Sequence, residues 1–357
     1  MILVDVRTLP YNLPLREPFR TASTTFNHRS GWIVQLWDDQ GHVGQGDCAP
    51  LPGMDMTSLA SYAECVRGLS DPVLRSDLPI DPDGMAERLE ILFPELPALR
   101  FALETALLDL VAQWGNISLA RQLDHEAQGV IQVNAVVPLG DVEERLVTVK
   151  KLLEQGFHTL KIKLGGRQDA SHVAAIRAAA GENVVLRLDA NGAWDRETAL
   201  KILGILEPMD IEYVEQPVPK GNLEILAAVA SASPIAIAAD EDACDPESIR
   251  RILDSHAAHV IVLKPAILGG LLRCRDLAFQ VREAGIKAVI TTSFESVVGR
   301  TAATHLAAAC GTPGIAHGLA TGSVFVKDLA PDPVTIKDGI ATLPDTPGLG
   351  VSTLSLP

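Results

Sequence analysis

From about residue 131 onward, short runs of β-branched and other apolar residues alternate with longer stretches in which apolar positions recur every three or four residues. That alternation predicts strand and helix in succession, as in a parallel sheet. The strand candidates are the runs IQVNAVV, HTLKIKL, NVVLRLD, IEYVEQ, IAIAAD, HVIVLK, KAVITTS and, less distinctly, GIAHGL. Eight strands with seven clear helices between them fit a closed α/β barrel of the (β/α)8 (TIM) type, here (β/α)7β. A doubly wound open sheet is the architectural alternative. No GxGxxG opens a helix after any of these strands, so a dinucleotide site has no support.

The first 55 residues read differently. The runs ILVDVRTL and GWIVQLWDDQGHVGQGD alternate as strands, and the Asp-Asp-Gln-Gly centre of the second suits a hairpin turn. Between them, REPFRTASTTFNHRS is polar and aperiodic and is read as a loop, with a second Pro/Gly-rich loop at DCAPLPGMDMTS. Residues 57–124 turn helical, with ALRFALETALLDLVAQWG the strongest amphipathic run. The closing segment VKDLAPDPVTIKDGIATLPDTPGLGVSTLSLP mixes turns with short β runs and is expected to return to the N-terminal region. The expected organisation is an α+β capping domain over residues 1–125, completed by 325–357, and a barrel over 126–324.

Composition narrows the class of partner. The chain has 357 residues, is 47% hydrophobic and carries a formal net charge of −15 with no Lys/Arg-rich run, so neither nucleic acid nor an acidic membrane is an expected partner. Small molecules remain. Five widely spaced cysteines without CxxC or zinc spacing fit reduced thiols in a cytoplasmic protein. The N-terminus lacks a signal-peptide pattern, and no run of about 18 apolar residues argues for a membrane span.

The chemistry sits at the ends of the strands. The second carries Lys161 and Lys163, the third ends at Asp189 with Asn191 just beyond, the fourth at Glu215, the fifth at Asp240 and Glu241, and the sixth at Lys264. From Lys163 to Asp189, Glu215, Asp240 and Lys264 the steps are 26, 26, 25 and 24 residues, one βα unit each. In a parallel barrel such residues share one mouth. Taken singly, each strand-end carboxylate could equally be a helix N-cap or a solvated loop residue. Three carboxylates forced together repel unless a cation joins them, and oxygen-only donors favour Mg²⁺ over Zn²⁺. Asp189, Glu215 and Asp240 are therefore the expected metal ligands.

Lys161 and Lys163, two residues apart on a strand, face the same side. Crowding two ammonium groups beside a metal is expected to lower one lysine's pKa and make it a general base, the alternative being that both simply neutralise the acids. Lys264, four strands away around the ring, faces the pair across the pocket. A metal-bound substrate carboxylate between them would expose its α-carbon to a lysine on either face, and proton abstraction would give an enediolate.

This pattern resembles the enolase superfamily, in which a Lys or His base works with Mg²⁺ on an enediolate. The likeness rests on ALETALLDL, KIK, LDANGAW, YVEQP, AADED, VLKPAILGG and LPDTPGLGV, and spans nearly the whole chain. Lysines on both sides resemble the muconate-lactonizing-enzyme-like subgroup. The mandelate-racemase-like pairing of a strand-seven His with a strand-six Asp is absent, and His317 is read as a packed histidine.

Within the subgroup, VLKPAILGGL followed by TTSFESVVGRTAATHLAAA looks most like the o-succinylbenzoate synthases of menaquinone biosynthesis. That likeness implies a lyase performing Mg²⁺-dependent syn-dehydration of 2-succinyl-6-hydroxy-2,4-cyclohexadiene-1-carboxylate. Lys163 would be the base, Lys161 its helper and Lys264 an electrostatic stabiliser. It further implies substrate contacts from Asn191, Thr292, Ser293 and Phe294, support from Glu241 and Glu295, and capping loops around Arg20 and Thr21 and at CAPLPGM. Many relatives are dimers or larger, so a homo-oligomer is compatible with the likeness.

The rivals are an N-succinylamino acid racemase, a muconate-type cycloisomerase, a dipeptide epimerase and a non-catalytic scaffold. Dipeptide epimerases usually carry Asp-x-Asp at the end of strand eight, where this chain has AHGLATGS.

Overall fold

The computed structural model describes residues 2–20, 25–52, 54, 57–75, 81–165, 169–352 and 354. A long antiparallel hairpin begins the chain: β1 (Leu3–Arg20) pairs with β2 (Thr25–Asp38), and β2 with β3 (Val43–Cys48). The turn after Asp38 is closed by Gly41, which takes φ +88°. The polar segment expected to be a loop is largely strand, with Phe19 opposite Phe26 and Arg20 opposite Thr25. The arms continue past a register shift between Pro14 and Phe19, and most of the side chains described there are exposed. A strand that buries neither face need not alternate, so its polar residues gave no periodic signal.

Helix α1 (Pro97–Trp114) packs across this sheet. Gly44 and Gly46 of β3 allow the contact, since a Cβ at either would run into the Ala106 or Ala102 carbonyl oxygen. The sequence marks α1 as amphipathic, yet it is buried nearly all round. Its polar residues bond to neighbouring elements instead of water. Arg100 donates to the Phe93 carbonyl at 2.9 Å, Glu104 accepts from Leu272 N at 2.9 Å, and Asp109 accepts from Gln45 N at 3.0 Å and Leu349 N at 2.8 Å.

The second body is a parallel sheet of seven strands in sequential order: β4 (Ala135–Val137), β5 (Thr159–Lys163), β6 (Val185–Asp189), β7 (Ile211–Glu215), β8 (Ile237–Ala239), β9 (Val260–Leu263) and β10 (Lys287–Ile290). Helices alternate with most of these strands, giving the α/β barrel architecture expected from the sequence. The eighth position is thin. His317 bridges Val133 and Gly318 bridges Thr291, both in parallel, and these two contacts join the first strand to the last. His317 is buried and its Nδ1 accepts from Ile290 N at 3.0 Å, in keeping with a packed role.

The run IQVNAVV divides between two sheets. Val130–Gln132 pairs antiparallel with Ile340–Thr342, and only Ala135–Val137 enters the barrel. Farther along the tail, Gly348 O accepts from Leu119 N at 2.8 Å and Val351 O accepts from the Gln45 side chain at 3.3 Å. The chain end thus touches the N-terminal elements.

Candidate active site

Strand register stacks the inward side chains in layers. Lys163, Asp189 and Glu215 are successive cross-strand partners, as are Val136, Lys161, Arg187 and Tyr213 one layer deeper. In the deeper layer, Arg187 stacks over the Tyr213 ring at 4.8 Å and its Nε donates to Glu212 at 2.6 Å. Asp240 directly follows β8, whose Ala238 pairs with Glu215.

The structure brings all six predicted catalytic and metal-binding side chains within reach of one another's charge, in two bonded groups. Lys161 Nζ donates to Glu215 Oε1 at 2.7 Å and lies 2.9 Å from Asp189 Oδ2. Lys163 Nζ donates to Asp189 Oδ2 at 2.6 Å and to Asn191 Oδ1 at 3.0 Å. On the other side, Lys264 Nζ donates to Asp240 Oδ2 at 2.7 Å, with Oδ1 2.5 Å away and unaligned. The three carboxylates are buried, while the Lys161, Lys163 and Lys264 side chains keep 16%, 20% and 13% exposure toward the mouth.

Burial above all, then the charges of Asp189 and Asp240, pushes the Glu215 carboxyl up to about 8. Burial also works against ionised Asp189, but Lys161 and Lys163 hold its carboxyl well below the usual range. Lys161, the expected helper, is held as a cation. Burial pulls its pKa down, yet Asp189, Glu215 and Asp240 together outweigh burial and raise it well above an ordinary lysine. Lys264 is raised too, with burial offset chiefly by Asp240 and Glu241. At Lys161 and Lys264 the facing acids outweigh burial and the crowding of ammonium groups.

Among the described residues, no three His, Cys, Asp or Glu side chains converge tightly enough to coordinate one ion as they stand, and the Lys161 ammonium lies between Asp189 and Glu215. The donor set nonetheless suits a hard divalent cation. Asp189, Glu215, Asp240 and Glu241 gather on neighbouring strand ends, all donors are oxygen, and Glu215 is destabilised as an anion even with the Lys161 ammonium against it.

Around this centre Asn191, at φ +45°, donates its side-chain amide to Glu241 Oε1 at 3.1 Å. Thr292 Oγ1 lies 2.9 Å from Thr321 Oγ1. Ser293 is buried, with its amide donating to Glu295 Oε2 at 2.7 Å, and Phe294 adopts φ +60°. Thr21 and the side chain of Arg20 lie outside the described residues.

Two contributors, Gln216 and Val136, went unnoticed in the sequence, and a third, Met54, lies in the CAPLPGM loop expected to cap the site. Gln216, at φ +40° and fully buried, accepts from Asp240 N at 3.1 Å and donates to Asp242 at 2.8 Å, so it braces two strand ends together. Its place directly after the strand-end carboxylate Glu215 was the available signal. Val136, 42% exposed, stands beside Lys161. Met54 Sδ comes within 3.9 Å of Lys264 Nζ, placing the loop after β3 over the mouth.

Residues 144–354 match the family described as Enolase C-terminal domain-like, and residues 3–123 match the N-terminal domain of mandelate racemase / muconate lactonizing enzyme. The chain belongs to the enolase superfamily. Its relatives within that superfamily include the L-Ala-D/L-Glu epimerase of Bacillus subtilis, whose substrate-liganded structure superposes with a TM-score of 0.92 at 28% identity over 100% of both chains. Muconate cycloisomerase 1 of Rhodococcus opacus is 29% identical over 98% of this chain and 95% of its own. The dipeptide epimerase of Enterococcus faecalis, solved with Mg and L-Leu-L-Tyr, matches with a TM-score of 0.88 at 27% identity over 99% of this chain and 100% of that one. An enolase-superfamily enzyme of the muconate-cycloisomerase-like kind is thereby shown. These relatives are epimerases and cycloisomerases, so the finer likeness to o-succinylbenzoate synthases is not shown by similarity. No described helix is long and apolar enough to cross a membrane.

Proposed function

We propose that this enzyme removes the α-proton of a small carboxylate substrate with Lys163, and that its reaction is the o-succinylbenzoate synthase dehydration. Asp189, Glu215 and Asp240 would hold Mg²⁺, whose charge, when bound, would stabilise the developing enediolate dianion. The magnesium seen with relatives of this fold supports that ion. The same reading keeps the cap at residues 1–125 with 325–357 and the barrel at 126–324.

In the proposed step, neutral Lys163 takes the α-proton and becomes an ammonium. Lys161 beside it and Lys264 across the ring place positive charge around the dianion. The Lys163 ammonium then protonates the departing hydroxyl on the same face. Water leaves, the ring becomes aromatic and the base is restored. Asn191 and Glu241 fix the position of Lys163 through the bonds described above, and Glu295 supports the loop bearing Thr292, Ser293 and Phe294.

The observation that favours this substrate is the chemistry of the closing segment. A substrate α-ammonium needs a carboxylate, and residues 316–323 carry none. They present the Thr321 hydroxyl, 2.9 Å from that of Thr292, and hydroxyls suit a second carboxylate or a carbonyl. Val136 adds an apolar wall beside Lys161 that suits a carbocycle. A second reading, racemization of N-succinylamino acids, is favoured by Lys264, which stands where it could protonate the opposite face; acylation also removes the ammonium.

Turnover of the cyclohexadiene substrate with Mg²⁺, followed by ultraviolet absorbance, is set against deuterium exchange into N-succinylamino acids. Dehydration is the expected result. Robust exchange without dehydration would replace the synthase reading with the racemase one.

A further inference from the structure

Arg29, on β2, is almost wholly buried, with 1% of its surface exposed, and no acid is hydrogen-bonded to it among the contacts described. Its fork donates to three carbonyls instead. Nε reaches Ser293 O at 3.2 Å, Nη1 reaches Pro50 O at 2.8 Å and Nη2 reaches Ala49 O. Two of these carbonyls belong to the loop leading from β3 to Met54, and the third belongs to the loop that follows β10. Both loops meet the Lys264 side of the mouth. Met54 touches Lys264, and Thr291 N donates to Leu263 O, the residue just before it, at 3.0 Å.

A second set of bonds runs beside the guanidinium. Asp47 of β3 accepts from Tyr11 OH, Ser296 N and Ser296 Oγ, each at 2.7 Å. Ser296 caps helix α2 (Val297–Cys310), and Gly299 in its first turn has no room for a side chain against Glu295 and Asp47. Asp47 and Glu295 both feel the Arg29 charge, which lowers the cost of keeping a cation in this interior. Three separate carbonyls, each reached by a different nitrogen of one fork, match a guanidinium and not an ammonium, which is a single point of charge.

We propose that Arg29 is a positioning residue that fastens the 49–54 loop of the N-terminal body to the 291–296 loop of the barrel, fixing the two walls that enclose substrate beside Lys264. It touches no reacting atom. Its loss frees both walls at once and weakens substrate capture, leaving the strand-end carboxylates where they were. The kinetic part rests on the function proposed above; the structural part does not.

Full-length Arg29→Met and Arg29→Lys are compared with wild type, with Mg²⁺ present, by amide hydrogen exchange, Mg²⁺ titration calorimetry and steady-state kinetics. In Arg29→Met, exchange should accelerate in 48–54 and 291–296 together. Mg²⁺ affinity should stay within about twofold, and KM should rise by about tenfold with kcat changed less than about threefold. Arg29→Lys should restore part of the protection. It keeps the buried charge, so it decides the matter if Arg29→Met does not fold, and there the prediction is loosening of both loops relative to wild type. Wild-type exchange in either loop overturns the proposal, as does loosening with unchanged KM for whichever substrate the wild type turns over. Should the wild type turn over neither candidate substrate, the function reading fails while exchange and calorimetry still decide the role of Arg29.

Discussion

Lys163 and Lys161 share a strand face and differ in what surrounds them. Lys161 is held between two carboxylates, and its raised pKa makes it a standing cation at neutral pH. Lys163 is paired with one carboxylate and an amide oxygen. That difference in partners is what favours Lys163 over Lys161 as the proposed base. Lys163→Ala should cut turnover by about 10²-fold or more while Mg²⁺ titration stays near wild type; substantial residual turnover would remove it as the base. Glu215→Gln replaces a carboxylate by a neutral amide at a central position. Mg²⁺ affinity should fall by tenfold or more, and an unchanged titration would take Glu215 out of the ligand set.

At the scale of elements, the spacing of the chemistry was legible because one βα unit repeats: a step of 24 to 26 residues returns the chain to the same height on the next strand. Lys161, Lys163, Asp189, Glu215, Asp240 and Lys264 could all be found that way. Arg29 could not, because it comes from a different sheet and nothing local ties it to a barrel strand; the loop carrying Met54 was expected only through the family likeness, not from the repeat. The polar hairpin arms escaped notice because they bury neither face. The side-chain partners of α1 were hidden for the opposite reason, since an acid that bonds to a distant backbone amide looks like a solvent-facing residue in the sequence. The close approach of α1 to β3 gives a direct test. Gly46→Ala should lower unfolding free energy by about 3 kcal/mol in denaturant titration, because backbone on both sides must shift. A change within about 0.5 kcal/mol would mean that the two elements separate easily.

Across the whole molecule, Glu104 joins the two bodies by accepting from the Leu272 amide in the first turn of the Leu271–Glu283 helix. Burial pushes its carboxyl from about 4.5 up to about 7, against the weaker pull of the Leu272 and Leu271 amides. A pKa raised in the folded state means that folding favours the protonated form. The contribution is therefore fully present below about pH 4.5 and is lost as pH rises through about 7. Melting temperature measured from pH 5 to 8 should fall more steeply in wild type than in Glu104→Gln, and parallel curves would show that this carboxyl does not titrate in that window.

The ring itself is unevenly sewn. Most neighbouring strands share runs of paired residues, whereas the join at His317 and Gly318 is a single stitch on each side. A hoop under thermal strain parts at its weakest fastening, so the amides of Asn134, His317 and Gly318 should exchange sooner than those of β6 and β7. Thr321, on the same segment, would move with it, so the staves bearing the acids would stay rigid while the one carrying this hydroxyl yields.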